Sequence, residues 1–377
     1  MAITIQQVPQ LYTPSDSPIM WRFSSDKTNE ANFSFLVEVY IDAVLDSRHI
    51  VFPEVGIYAH FDASERLKAS VSASSLSNTL VQDAGNWKSC YIKITERYGT
   101  PIANQANTTS STVYTFKGCL SDEDFVNWDH RKYLVNYIAY GFMTNFDRTS
   151  LVLGTNTDFY LQVINNLLTP NLTIEYYDDE NNLLDLVQTA ISNTIRILQI
   201  NLKDTLHTIP SGTAYMNVYI DGSTNSEVIR LNVIQSDACN VLTPCIWLNE
   251  FGGFEQYIFT HNYISRSEIK SYSYERQFGK WNGSTFEYNV FNSGVTNYLK
   301  VIKDSGEIVS DWISEDLQGS VVRMYESPYV VVQIGTTSYY QIIVVNSSYE
   351  IKQGRFDELF NEIVQYEKSN MRKSINL

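Results

Sequence analysis

Apolar and polar residues alternate along several segments of this chain, and this pattern restricts it to β-structure more strongly than any other feature. In the plainest segment, 33–41, five apolar residues would share one face of a strand: Phe33, Phe35, Val37, Val39 and Ile41. A period of two indicates an extended strand, because a helix repeats every 3.6 residues. Further strands are predicted for 55–61, 90–98, 112–116, 172–177 and 195–202.

Turn-forming residues between such segments predict hairpins. The segments 214–220 and 228–234 are joined by a Gly/Ser/Asn-rich loop, and 329–335 is predicted to pair with 339–345. The same reasoning predicts turns at three further places: Asn282-Gly283, 292–294 and 304–306. Gly252-Gly253 lies between two apolar runs and predicts a bend whose backbone a side chain would resist.

Three short helices are expected among the strands. Ser121 can cap the amide of Asp124 and begin the first, and the second covers 314–326 and ends before Pro328. The third is an amphipathic C-terminal helix, whose stripe consists of Phe356, Leu359, Phe360, Ile363 and Val364.

A chain of 377 residues exceeds the size of one hydrophobic core. We therefore predict a mainly β fold of two to three β-sandwich-like domains with a few short helices. The N-terminal β-sandwich covers 1–120, and a middle β domain with a leading short helix covers 121–240. The C-terminal β-rich domain, with one internal helix and the terminal helix, covers 241–377.

Charge limits the possible partners. The chain carries 42 acidic and 27 basic residues, a formal net charge of −15, and no run of Lys or Arg. Gripping of nucleic acid is therefore disfavoured. An acidic surface still suits a channel, because a negative wall repels phosphates and lets a duplex slide.

The N-terminus has neither the basic nor the apolar segment of a signal peptide, and no stretch approaches the roughly 18 apolar residues of a membrane span. We expect a soluble protein made in a cytoplasm. The four cysteines lack the CxxC spacing of zinc sites and are interpreted as buried or incidental thiols. A Cys239–Cys245 or Cys90–Cys119 disulfide is the alternative, which a reducing cytoplasm disfavours.

No motif for catalysis is present, so we predict no catalytic, cofactor-binding or metal-binding residues and no cofactor. The five histidines lie far apart, and neither a serine nucleophile elbow nor a phosphate-binding glycine loop occurs. A glycosidase would need only two carboxylates, for which Asp178, Asp179 and Glu180 are the densest candidates. Because Asn181 and Asn182 follow, we interpret the triplet as a solvated hairpin turn.

The abundant aromatic residues leave sugar binding open as a second function. The chain has 26 Tyr and 6 Trp, which could stack on glycans. Strand tyrosines such as Tyr288 and Tyr298 are more often core residues or subunit contacts, since interfaces enrich Tyr and Trp.

Four segments carry a resemblance to a known group of proteins. They are 17–26 (SPIMWRFSSD), 247–259 (WLNEFGGFEQYIF), 312–315 (WISE) and 326–330 (ESPYV). Together they resemble virion structural proteins of tailed phages that infect Bacteroidetes, including the crAss-like group. The resemblance covers the first forty residues and about 245–370.

The resemblance implies a non-enzymatic subunit of a bacteriophage tail or neck assembly, as a ring, connector or baseplate protein around the DNA channel. Its expected partners are further copies in a six- or twelve-fold cyclic homo-oligomer and other virion structural proteins. DNA would at most pass through an acidic lumen, and no membrane is involved. The expected location is the virion, assembled in the host cytoplasm. The alternative function is a receptor- or glycan-binding module of the virion or of a bacterial surface.

Overall fold

The structure is a computed structural model that describes residues 3–54, 56–146, 151–154, 156–166, 168–203, 205–234, 242–260, 264–288, 294–334, 338–345 and 359–373. Strands dominate these residues and the helices are short, which confirms the mainly β fold. Two compact units are present. The first comprises Met1–Ile234 and Leu248–Gln256, and the second comprises Gln235–Trp247 and Tyr257–Leu377.

The first unit contains seventeen described strands and three short helical segments. The strands are β1 Ile3–Gln7, β2 Tyr12–Pro14, β3 Met20–Ser25, β4 Ser34–Ile41, β5 Val44–Val51, β6 Tyr58–Asp62, β7 Val81–Asp83, β8 Trp87–Tyr98, β9 Ala103–Thr109, β10 Val113–Phe116, β11 Leu151–Gly154, β12 Tyr160–Ile164, β13 Asn171–Tyr177, β14 Leu183–Ala190, β15 Ile197–Asn201, β16 Tyr215–Asp221 and β17 Ile229–Ile234. The helices are α1 Ser64–Ser70, α2 Asp122–Val126 and the 3₁₀ segment His130–Tyr133.

Two sheets near the N-terminus form a β-sandwich. One sheet has the order β1-β3-β6, and the other has the order β2-β10-β8-β4-β5, with β9 paired to β8. Their inner faces share one buried cluster that includes Trp21, Phe23, Phe35, Val37 and Ile92. The alternating residues of 33–41 thus form the core face that the sequence predicts.

Two further sheets complete the first unit. They have the orders β11-β17-β16-β13-β14 and β12-β15-β7. Because β7 pairs with β15, hydrogen bonds cross the predicted boundary at residue 120. A second buried cluster, which joins Phe116 to Trp128 and Ile197, crosses it too. The two compact units therefore do not coincide with the predicted domains 1–120, 121–240 and 241–377.

The second unit is built on one sheet of short and long strands, although Leu248 of β18 and Phe254–Gln256 of β19 belong to the first unit. Its strands are β18 Thr243–Leu248, β19 Phe254–Phe259, β20 Ile264–Arg276, β21 Lys280–Asn282, β22 Thr285–Glu287, β23 Gly294–Ser314, β24 Val330–Gln333, β25 Tyr339–Val344, β26 Leu359–Lys368 and β27 Arg372–Lys373. The order is β19-β18-β24-β25-β26-β23-β20, with β27 beside β23, and β21 pairs with β22 separately. A short helix, α3 Glu315–Val321, continues as the 3₁₀ segment Val322–Tyr325.

The structure confirms two of the predicted helices and several of the predicted hairpins. Ser121 accepts a hydrogen bond from the Asp124 amide at 3.1 Å, and Ser314 caps α3 through the Leu317 amide at 3.4 Å. The hairpins β16–β17, β24–β25 and β21–β22 lie where turn residues predict them.

The predicted C-terminal helix is wrong. Residues 359–368 form strand β26, which pairs with β23 on one side and β25 on the other. The helical spacing was ambiguous, because Val364 and Tyr366 also alternate with polar residues and are buried as in a strand. A central strand gains a hydrogen-bond ladder on both edges, which outweighs the helical pattern. Phe356 lies outside the described residues.

The predicted turn at 304–306 is also wrong, since these residues lie within β23. A Cβ on Gly306 would lie 2.6 Å from the Ile264 carbonyl oxygen and 2.7 Å from the Tyr366 hydroxyl oxygen. Glycine therefore permits close approach inside a strand here, rather than a turn. Residues 292 and 293 lie outside the described residues.

The cysteines that the structure describes are free thiols: Cys90, Cys119 and Cys245. The alternative Cys90–Cys119 disulfide is therefore absent. Burial raises the pKa of the Cys90 thiol to about 12 and also raises the pKa of Cys245. Cys239 lies outside the described residues.

Candidate interaction surface

The two longest strands of the second unit form a ribbon that the rest of their sheet supports only at one end. β20 pairs with β23 from Ile264↔Glu307 to Arg276↔Gly294. On its other edge, β23 pairs with β26 from Ser305 onward and with β27 at Val301 and Ile302. Residues 294–300 of β23 thus pair only with β20 in the described part of the chain. We call residues 264–288 and 294–304 the β-arm.

A small hairpin ends the β-arm. β21 and β22 are joined at Asn282-Gly283, where Gly283 has a φ of +68°, a conformation that glycine adopts at little cost. Four aromatic rings form a cluster around this hairpin, with centroid distances of 5.2–5.5 Å between neighbours: Phe278, Trp281, Phe286 and Tyr288.

A second aromatic cluster lies on the ribbon itself. Tyr298 is the extra residue of a β-bulge opposite β20, and its ring lies 6.4 Å from Tyr272 and 6.1 Å from Tyr274. A bulge re-aims a side chain, which brings the three rings to one place along the ribbon.

These aromatic residues are not core residues. Trp281 is 69% exposed and Tyr288 is 73% exposed, and every residue of β20 before Arg276 is exposed. An isolated two-stranded ribbon is marginally stable in water, and contiguous exposed apolar surface marks interaction sites. The β-arm therefore has the properties of a surface that a partner covers.

The β-arm is positively charged on an acidic protein. Residues 264–304 contain six Lys/Arg and four Asp/Glu, although the whole chain has 27 and 42. Arg266 pairs with Glu307 at 2.8 Å and Lys303 with Glu367 at 2.6 Å. Lys270 and Lys280 make no ion pair with any residue that the structure describes. These two cations remain available to an acidic partner.

Ordered polar contacts fix the base of the β-arm. Ser267 donates a hydrogen bond to Asp304 at 2.7 Å, and Arg372 pairs with the same carboxylate at 2.9 Å. The hydrogen bond from Ser267 and, to a smaller extent, the one from Arg372 hold the pKa of Asp304 below its usual range. The base is thus cross-linked by charge-assisted hydrogen bonds, while the outer part is exposed.

The acidic triplet lies in the turn that the sequence predicts. Asp178 accepts hydrogen bonds from the Asn182 side chain, from the Asn182 amide and from the Glu180 amide, at 2.7–3.0 Å, and these bonds lower its pKa. Asn181 has a φ of +65°, which suits the tip of the β13–β14 hairpin. The Asp178 carboxylate thus caps the turn that the sequence predicts.

Among the described residues, no group of three or more His, Cys, Asp or Glu could hold a metal ion. None of the helices in the same part of the chain has the length and hydrophobicity to cross a bilayer. The expectation of a protein without catalytic residues and without a cofactor stays a prediction.

Sequence reasoning noted Tyr288 and Tyr298 as core or contact residues but missed the β-arm around them. One signal could have found it. In 271–275 (SYSYE) serine alternates with tyrosine, so neither face of the strand is aliphatic. A strand without an aliphatic face lacks the usual core-packing side chains, and the local excess of Lys and Arg marks the same segment.

No protein-family model matches this chain, and no curated protein sequence does. Solved structures show distant likeness. A membrane-anchored protein of Corynebacterium diphtheriae is 9% identical with a TM-score of 0.22; the match covers 63% of this chain and 60% of that one. The IG1 and IG2 domains of DIP-gamma are 7% identical with a TM-score of 0.21, covering 63% and 99%. A chimeric titin Z1Z2 tandem is 9% identical with a TM-score of 0.16, covering 62% and 100%. At these TM-scores the likeness supports no inference about function.

Proposed function

We propose that this chain is a non-enzymatic structural subunit of a phage tail or neck assembly, and that the β-arm joins it to neighbouring subunits. The exposed, aromatic and positively charged β-arm carries the proposal. A protein that works alone gains nothing from a ribbon with Trp281 and Tyr288 in solvent, whereas a subunit buries them on assembly. The sequence resemblance supports the same class of protein.

The acidic charge of the chain agrees with a position around DNA. Outside the β-arm, the chain carries 38 Asp/Glu and 21 Lys/Arg. A channel wall of this sign repels phosphates, so a duplex can pass without binding. A ring, connector or baseplate subunit in a cyclic homo-oligomer fits these properties.

The β-arm is tested by replacing one exposed tryptophan and comparing it with another. Trp281→Ala removes a tip residue that is 69% exposed, and Trp312→Ala removes one outside the β-arm that is 64% exposed. Interface truncations of this kind cost about 2–4 kcal/mol of association. We expect Trp281→Ala to lose oligomers in light scattering and rings in electron microscopy, with an unchanged melting temperature, while Trp312→Ala assembles. If the two variants assemble equally well, the β-arm does not form the contact between subunits.

The exposed tip rings also favour a second candidate function, a receptor- or glycan-binding module, because aromatic faces stack on sugars. Retention of the protein on immobilised host-surface glycans distinguishes the two functions. A glycan-binding module would stay small in solution and lose retention on Trp281→Ala. A structural subunit would assemble and show no such retention.

A further inference from the structure

The first unit contains an open sheet edge that is suited to accept such an arm. β14 lies at the end of the order β11-β17-β16-β13-β14 and pairs only with β13 in the described part of the chain. Three leucines on this strand are exposed: Leu183, Leu184 and Leu186. An edge strand presents unpaired N–H and C=O groups to any strand that can lie beside it.

The β14 edge lacks the usual protection against strand pairing. Natural edges are blunted by Lys or Pro, but 183–190 (LLDLVQTA) contains neither, and Asp185 is its only charged residue. The edge strand β5 differs, because it carries Arg48, paired with Glu38 at 2.8 Å, and His49, while its one carboxylate, Asp46, is already paired with Arg66 at 2.8 Å. A basic arm would meet a cation on β5 and none on β14.

The charge around the β14 edge favours a basic strand as its partner. Between 171 and 195 the chain has five Asp/Glu and no Lys/Arg. Tyr177 and Tyr219 donate hydrogen bonds to Glu175 at 2.9 and 3.0 Å, so that carboxylate is satisfied within its own sheet. Asp179 and Asp185 form no ion pair with described residues. Opposite charges across an interface steer association and fix its register.

We propose that the β14 edge of one copy binds the β-arm of a second copy by strand addition. This inference rests on the proposed function and names the acceptor of the β-arm. Among the strands that the structure describes, β20 is the end strand of its sheet, so its outer edge is open to pairing with another strand. At about 3.3 Å per residue, the 13 residues of β20 span the 8 residues of β14 completely. Backbone hydrogen bonds give the affinity, and Lys270 and Lys280 meet the acidic edge.

The contact is heterologous, because a unit-2 arm meets a unit-1 edge. Such head-to-tail contacts close into rings or extend into filaments, whereas a contact between two identical surfaces stops at a dimer. An arm–edge contact therefore agrees with cyclic assembly, and it makes a test with mixed variants possible.

Two defective variants form the test. Asp185→Lys with Leu186→Lys places edge-blocking cations on β14, and Trp281→Ala damages the β-arm. Each alone is expected to raise the self-association Kd by about 30-fold or more. In a 1:1 mixture, the intact arm of the β14 variant can bind the intact edge of Trp281→Ala. Light scattering should then show a dimer that does not grow further. Val44→Lys with Ile50→Lys on β5 is the matched edge control and should assemble normally. Circular dichroism melting checks that all variants fold.

A charge swap adds a second readout. Lys270→Glu and Asp185→Lys should each weaken association, and the two together in one chain should restore it, because every contact then has the reversed pair. If the β14 variant assembles like the parent while Trp281→Ala does not, the β-arm binds elsewhere and this inference is wrong, although the proposed function stands. If Trp281→Ala also assembles, the β-arm does not join the subunits, and the assignment of assembly to the β-arm fails together with this inference. A mixture of folded variants that forms no dimer likewise overturns the arm–edge assignment.

Discussion

At Gly252 the main chain of the 248–256 segment passes so close to Lys117 that a side chain has no room. The residue has a φ of +72°, and a Cβ would lie 1.5 Å from the Lys117 carbonyl oxygen. Gly253 lies outside the left-handed region, but a Cβ there would lie 2.3 Å from Oε1 of Gln162. The sequence-based expectation for Gly252 is thus confirmed, and for Gly253 the cause is close packing.

Gly252→Ala should therefore unfold the first unit or cost more than about 4 kcal/mol. Gly85→Ala is the matched control, because Gly85 has a φ of +65° with no atom within 4 Å of the added Cβ. It should cost only about 1–2 kcal/mol of backbone strain. Urea unfolding measures both free energies. Equal losses would mean that the 248–256 segment moves away from Lys117 without cost.

Glu255 makes stability depend on pH in the first unit. Burial raises the pKa of its carboxyl above the ordinary value of 4.5, although hydrogen bonds from the Asn145 amide, Asn249 and Thr144 oppose the rise. The folded state thus holds the proton more tightly than the unfolded chain. The resulting stability is fully present below the unfolded pKa and is lost as the pH rises through the folded pKa.

Glu255→Gln should remove this dependence, because the amide oxygen can accept the same hydrogen bonds. Relative to the parent, the variant should gain stability from about pH 4 upward, by up to about 1.4 kcal/mol for each pH unit between the two pKa values. Urea unfolding at several pH values measures the difference. The exposed Glu30→Gln serves as the control and should follow the parent. Identical pH profiles for both variants would contradict the assignment.

Elements whose own residues encode them, such as hairpins with turn residues, could be predicted from the sequence. Strands that are determined by the strands beside them in the sheet could not. The β16–β17 and β24–β25 hairpins follow from turn residues between apolar runs. β26 is a strand because it pairs with β23 and β25 on its two edges. Its own sequence does not encode this, since residues 359–364 also fit a helical stripe. The sequence did not predict the β-arm, because a strand is recognised by an aliphatic face and β20 has none.

Over the whole molecule, the charges divide into a basic β-arm and an acidic remainder. Attraction between the two in different copies is screened by salt, since the Debye length falls from about 30 Å at 0.01 M to about 3 Å at 1 M ionic strength. We expect oligomers to dissociate as NaCl is raised from low to molar concentration, with sedimentation velocity as the measurement. The variant Lys270→Glu with Lys280→Glu should associate weakly and lose most of this salt dependence. Association that strengthens with salt would instead assign the contact to apolar burial alone, because excluded salts favour the burial of apolar surface.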